Sequence, residues 1–292
     1  MTKQHALILA LILACAFRAH SQEKLQIKVA SGISIQDFSW SIAGNADGTN
    51  PNILSELKYQ NIVGLGLSVD GKYKILPKMS VMLTIENRQT LSGTGSDIDY
   101  QHDNRTTPTY ELHFNSSKGG MQHLQTGLAY NLYKDPFVTV DANVSYINTS
   151  QTFSMTSSSA PNLDTWYSTR QQGIQVGTFF HTHLGSKLQA LATLSYALVD
   201  YTGIGNWNLI PTFEHPVSFM QESNGSHYRG SIGLIRSISS LLSFYISGGY
   251  AVQKVRAGTD QTFLRNGLRQ ITRFNGAKGS NLRVNFGVIL SP

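Results

Sequence analysis

The sequence predicts an all-β fold, an antiparallel barrel of ten strands that crosses a membrane. Two patterns predict it: apolar residues recur at every second position over long segments, and short turns alternate with long polar loops between those segments. The composition agrees, because 26 Gly, 13 Tyr and 13 Phe accompany only 14% charged residues. Such a mixture suits strands that have one apolar face and one small or polar face.

The N-terminal segment 1–21 has the pattern of a cleaved signal peptide. An apolar run over 6–17 follows a basic residue, and it is too short to span a bilayer as a mature helix. We expect cleavage after this segment and a single barrel domain over 22–292. Lipidation of Cys15 is an alternative, although a large residue stands where a small one is usual before such a cysteine.

Ten strands follow, each with an apolar side and a small or polar side. Leu124 and Leu128, for example, share one face, whereas Gln125 and Ala129 share the other. The segments reach the about 9–11 residues that a tilted membrane strand needs. A secreted soluble β-sandwich is the alternative, but its strands are usually shorter, about 5–6 residues. In chain order the predicted strands are 24–43, 53–74, 79–93, 109–134, 136–153, 166–184, 187–203, 221–239, 241–257 and 276–291.

The connections set the orientation. Short turns are predicted near 75–78, 133–136, 185–187 and 237–240, and long polar loops over 44–52, 93–108, 154–166, 204–226 and 258–275. Short turns on the periplasmic side and long loops outside are typical of outer-membrane barrels. We expect an outward apolar band about 25 Å tall, edged by aromatic residues that include Trp40. The residues predicted to face lipid are Leu65, Leu67, Leu128, Val140, Leu194, Phe244, Val284 and Phe286.

The first two hairpins carry a family resemblance. The segments "DFSWSIAG" (37–44) and "PNILSELKYQ" (51–60), followed by "GSDIDYQHDNRT" (95–106), resemble the omptin-like barrels, and most closely the Protochlamydia outer membrane proteins. The resemblance implies a ten-stranded barrel in the outer membrane of a Gram-negative envelope. It also implies contact with outer-membrane lipid and lipopolysaccharide, and we expect a monomer.

The resemblance also implies a candidate peptidase site. Omptins are endopeptidases in which an Asp-x-Asp pair and an Asp-x-His pair activate a water molecule. Asp97 and Asp99 match the first pair, and His227 matches the histidine. Gly225, however, stands where a carboxylate should orient the imidazole, and Glu222 is the nearest substitute. Because that partner is missing, the sequence favours a protein that is not an enzyme.

The same acidic stretch is a candidate cation site. Asp97, Asp99 and Asp103 offer the oxygen ligands that divalent cations prefer. The spacing is not that of an EF-hand, and a hydrated extracellular loop is the simpler interpretation. No other cofactor is indicated, and no basic run predicts a nucleic-acid partner.

The sequence therefore favours a non-enzymatic outer-membrane barrel, and it leaves a structural, adhesion or porin-like small-solute role open. The omptin-type endopeptidase and the soluble sandwich remain alternatives, and no extracellular ligand is identified. Ten strands enclose little space, so charged residues inside the barrel should pair with one another and fill it. The residues concerned are Asp70, Glu86, Arg88, Asp141 and Arg283.

Overall fold

The computed structural model describes residues 24–291, so the predicted signal peptide over 1–21 lies outside the described residues. Twelve strands and one 3₁₀ turn (Asp103–Arg105) make up the regular structure of that part. No helix within it is long and apolar enough to cross a membrane. The strands are β1 Leu25–Ile42, β2 Ser55–Leu76, β3 Met79–His102, β4 Thr106–Asn115, β5 Gly119–Lys134, β6 Val138–Met155, β7 Thr165–His183, β8 Leu188–Asn206, β9 Phe219–Ser237, β10 Leu242–Val255, β11 Gly258–Phe263 and β12 Arg269–Leu290.

Ten of these strands close into an antiparallel barrel. The order around the wall is β1-β2-β3-β5-β6-β7-β8-β9-β10-β12, and β12 pairs back onto β1 from Ile27↔Leu290 to Ile42↔Phe274. Strand β4 pairs with β3, and β11 pairs with β12 and β9. Strands β4 and β11 therefore extend the wall at the end of the barrel that carries the long connections. The predicted ten-stranded antiparallel barrel is confirmed.

The outer wall of the barrel is apolar. All but one of the residues predicted to face lipid are exposed, and Val140 is half-buried. The alternation therefore points its apolar side outward, and no second sheet covers it in the described residues. This arrangement overturns the soluble sandwich, which would bury those faces.

The extracellular half of the lumen is filled by rings. We call this group the aromatic plug. Tyr59 stacks on Phe153 with ring centroids 4.4 Å apart, and Phe153 stacks on Phe38 at 5.2 Å. Trp40, predicted at the membrane interface, is buried here instead, because it shares the inward face of β1 with Phe38. The aromatic plug consists of Phe38, Trp40, Tyr59, Phe114, Phe153, Tyr167, Tyr201, Phe219 and Phe274.

Three predicted boundaries were wrong on the extracellular side. The predicted loop 93–108 is mostly strand, because β3 continues to His102 and β4 begins at Thr106. The predicted strand 109–134 divides at 116–118 into β4 and β5, and the predicted loop 258–275 contains β11 and the start of β12. These extensions keep pairing above the membrane because they bury apolar side chains, such as Leu112, against the aromatic plug.

Charged side chains form ion pairs in the membrane-level lumen. Lys28 pairs with Asp70 at 3.1 Å and Lys72 with Asp141 at 2.6 Å. The carboxylate of Glu86 forms ion pairs with both Arg88 and Arg283, and the second pair is 3.6 Å long. Glu86, Arg88 and Arg283 therefore pair with one another as predicted, whereas Asp70 and Asp141 pair with lysines. The prediction that these charges fill the lumen was wrong, because a cavity of about 840 Å³ remains between them.

Candidate functional site

Asp97 and Asp99 lie together at the extracellular end of β3 and face the interior. Asp97 is opposite Leu57 on β2 and Leu112 on β4, both of which are buried beside the aromatic plug. Residues directly opposite in a sheet share a face, so Asp97 points inward, and Asp99 does so two residues later. The Ser55 hydroxyl donates to Asp97 at 3.4 Å.

This acid pair is half-buried on a strand and does not lie in the hydrated loop predicted for it. Burial, followed by the charge of Asp99, raises the pKa of Asp97 to about 7. Burial also raises the pKa of Asp99. At neutral pH the Asp97 carboxyl group is therefore protonated for a substantial part of the time.

Asp103 lies apart from the acid pair. It is exposed in the 3₁₀ turn, where its Oδ1 accepts the backbone N–H of Asn52 at 2.7 Å. Asn104 exchanges hydrogen bonds with the same Asn52. Residues 24–291 contain no group of three or more His, Cys, Asp or Glu side chains arranged to hold a metal ion. A cation bound by Asp97 and Asp99 alone stays a prediction.

His227 lies on β9 without a carboxylate partner. Its Nε2 donates to the side-chain oxygen of Gln171, whose amide nitrogen donates to Gln253 at 3.1 Å. Within the described part of the chain no ion pair joins its ring nitrogens to a carboxylate, and the partner is the amide of Gln171. Glu222 is exposed on the outer face of β9, because it is an odd number of residues from the inward-facing His227.

The aromatic plug lies between the acid pair and the histidine. Gln171, which holds His227, is four residues nearer the membrane than Tyr167 of the aromatic plug. Asp97, in contrast, is opposite Leu57, which is two residues nearer the extracellular end than Tyr59. The structure brings Asp97 and Asp99 together, but it does not bring His227 to them.

A buried polar chain through the aromatic plug escaped the sequence analysis. Tyr201 donates to Tyr167, which donates to Gln221 at 2.7 Å. Gln221 donates to Asp260 at 3.0 Å, and Thr272 donates to its other oxygen at 3.2 Å. Burial raises the pKa of Asp260 to about 6, although both hydrogen bonds oppose the rise. The sequence carried no signal for it, because residue 260 fell in a predicted loop.

Comparison with known proteins places the chain among outer-membrane barrels. A family model described as Protochlamydia outer membrane protein matches residues 28–244. The fold is similar to the outer membrane protease OmpT from Escherichia coli, with a TM-score of 0.69 and 11% identity over 93% of this chain and 98% of that chain. It is also similar to the translocator domain of autotransporter NalP from Neisseria meningitidis, with a TM-score of 0.40 and 12% identity over 97% and 95%.

These likenesses differ in what they support. At 11% identity the likeness to OmpT shows the barrel fold and not the activity. The likeness to NalP is too low for any argument. Comparison with curated protein sequences gives no match.

Proposed function

This chain belongs to the Protochlamydia outer membrane protein family, and we propose that it is a non-enzymatic barrel whose lumen is closed to passage. Its place is the bacterial outer membrane, where the apolar outer wall contacts lipid. We propose further that it acts as a monomer and that lipopolysaccharide is among the lipids it contacts. A closed lumen favours a structural or binding role over porin-like conduction.

The aromatic plug is the observation that carries this proposal. Its rings lie 4.4–6.1 Å apart, which is contact distance for stacked aromatic side chains. Below it, Gln36 and Gln151 exchange two hydrogen bonds of 3.0 and 2.7 Å across the barrel. A water-filled path through the barrel would have to displace both layers.

An omptin-type endopeptidase is the second candidate function, and one observation favours it. A carboxyl group that titrates near neutral pH, as Asp97 does, is suited to general acid–base catalysis. Two observations count against it. The imidazole of His227 is held by the amide of Gln171, and the aromatic plug occupies the space where a peptide would lie between acid and base.

Two assays on purified, lipid-reconstituted protein test the proposal. We expect no cleavage of a basic peptide and no steady conductance in planar bilayers. Cleavage that is lost in Asp97→Asn and in His227→Ala, but kept in the exposed-loop control Asp47→Asn, would establish the endopeptidase instead. Stepwise conductance of the unmodified protein would refute the closed lumen.

Opening the aromatic plug provides a positive control for conductance. Replacing Phe38 and Tyr167 by Ala removes two stacked rings from the centre of the lumen. We expect this double variant to conduct intermittently, whereas Phe286→Ala on the lipid-facing wall should remain closed. Equal conductance of the two variants would show that the aromatic plug is not the barrier.

The cation site is a separate proposal with its own test. Asp97 and Asp99 offer hard oxygen ligands, and a bound cation would relieve the repulsion between them. Added calcium should then raise the melting temperature of the barrel, and the double variant Asp97→Asn, Asp99→Asn should abolish that rise. An equal rise in the double variant would place any calcium effect elsewhere.

A further inference from the structure

The membrane-level lumen forms a cavity that opens at the short-turn end of the barrel. Its volume is about 840 Å³, and its mouth is lined by Pro77 and Lys78 from the β2–β3 turn and by Ser239 and Ser240 from the β9–β10 turn. Short turns lie on the periplasmic side of outer-membrane barrels. The aromatic plug blocks the other end, so the cavity is a blind pocket that faces the periplasm.

The wall of this pocket is strongly basic. Nine Lys and Arg side chains line it, against three Asp and Glu side chains. Each of the three acids already has a basic partner: Asp70 has Lys28, Asp141 has Lys72, and Glu86 has two arginines. The remaining positive charge is therefore not neutralised by carboxylates in the described residues.

The surplus positive charge is concentrated where three arginine side chains line the same part of the pocket. Arg88 and Arg283 share the single carboxylate of Glu86. Arg229, on β9, lines the same pocket as Arg88 and Arg283, and Glu86 and Asp70 lie near it, yet it makes no hydrogen bond or ion pair with any residue within 24–291. An arginine side chain keeps its charge near neutral pH, so the free N–H groups of Arg229 can donate to an anion that enters the pocket.

Neutral donors surround the same point. The hydroxyl of Ser247 accepts a hydrogen bond from Tyr245, so its own hydrogen is available to donate into the pocket. Ser195 and Asn285 line the pocket beside the arginines. Guanidinium groups with hydroxyl and amide donors are the chemistry that binds oxyanions, since arginine offers paired N–H groups to two oxygens at once.

We propose that this pocket binds a phosphate-type oxyanion, or a small molecule that carries one, from the periplasmic side. Arg229 and Arg283 hold the anion, and the lysines at the mouth attract it. A volume of about 840 Å³ exceeds that of phosphate alone and suits a phosphorylated small molecule or the headgroup of an anionic lipid. The inference concerns a different part of the molecule from the candidate peptidase site and does not depend on the absence of cleavage.

Calorimetric titration with sodium tripolyphosphate tests the proposal. The purified barrel in zwitterionic micelles should bind it saturably, and the affinity should fall with added salt. Arg229→Gln should weaken binding by about tenfold, because it removes a charge-assisted contact. Arg229→Lys should retain part of the affinity. Lys58→Gln, on the extracellular extension, removes one positive charge outside the pocket and should change nothing.

Heat-modifiable gel mobility shows whether each variant is folded. If Arg229→Gln does not fold, Glu86→Gln serves instead, because removal of the competing carboxylate should tighten binding. Absence of saturable binding to the unmodified protein overturns the proposal. The proposal is also overturned if the folded Arg229→Gln variant binds with the affinity of the unmodified protein. Where Glu86→Gln is used instead, the proposal is overturned if that variant does not bind more tightly than the unmodified protein.

Changing the lipid composition distinguishes a lipid headgroup from a soluble phosphorylated molecule as the source of the anion. The titration is repeated in nanodiscs of phosphatidylcholine alone and of phosphatidylcholine with phosphatidylglycerol. If tripolyphosphate binds more weakly in the anionic discs, a lipid phosphate competes for the pocket and is its occupant. If the affinities are equal, the occupant is a soluble phosphorylated molecule.

Discussion

Asp260, buried in the polar chain of the aromatic plug, should make the barrel less stable as the pH rises. The carboxyl group is 1% exposed and accepts hydrogen bonds from Gln221 and Thr272, with no cation beside it in the described residues. Its pKa is raised from 3.8 to about 6. The folded state therefore binds a proton there more tightly than the unfolded chain does.

The sign and size of the effect follow from linkage. A raised carboxyl pKa contributes stability that is fully present below about pH 4 and is lost as the pH rises through about 6. A shift of about two units corresponds to about 3 kcal/mol of unfolding free energy. Asp260→Asn removes the charge, keeps an oxygen acceptor for Gln221 and can donate to Thr272. The variant should be about 3 kcal/mol more stable than the unmodified protein at pH 8, and equally stable at pH 4.

Urea unfolding in lipid vesicles, followed by tryptophan fluorescence, measures this difference. Trp40 and Trp207 pack in and against the aromatic plug, so their emission reports its opening. Asp97 titrates in both proteins, and its contribution cancels in the comparison. The exposed control Asp47→Asn should show no pH-dependent difference. A stability difference that is the same at pH 4 and pH 8, or a variant less stable at pH 8, would refute the reasoning.

Two further pairs of substitutions, each a test with its control, examine the inner and outer sides of the wall. A Cβ added at Gly203 would overlap the Tyr167 hydroxyl, so Gly203→Ala should cost about 1–3 kcal/mol in the same unfolding assay. Gly248→Ala, with no atom within 4 Å of the new Cβ, should be nearly neutral, and equal losses would contradict this account. Ile246→Arg places a charge in the lipid-facing band and should destabilise the barrel by about 2–4 kcal/mol. Ser243→Arg, which faces the lumen of the same strand, should cost much less in vesicles, and similar costs would argue against the outward apolar face.

The acidic stretch shows where sequence reasoning stopped short. The resemblance to omptins pairs Asp97 with Asp99, and their spacing predicts that both face one side, because alternate residues of an extended segment share a face. Their environment was predicted wrongly, as a hydrated loop. The polar residues of 93–108 do not by themselves indicate that β3 continues to His102. The continuation depends on pairing with β2, about 40 residues earlier in the chain, and with β4.

The ten strands of the barrel wall and the lipid-facing side of each were readable from period-two alternation. That pattern is local, and the pleat converts it directly into two faces. Which inward residues meet across the lumen was not readable, because it depends on the register of ten strands and on the closure of β12 onto β1. Closure buries Trp40 among rings instead of at an interface, leaves His227 with Gln171 instead of a carboxylate, and gathers Arg88, Arg229 and Arg283 from three distant strands around one glutamate.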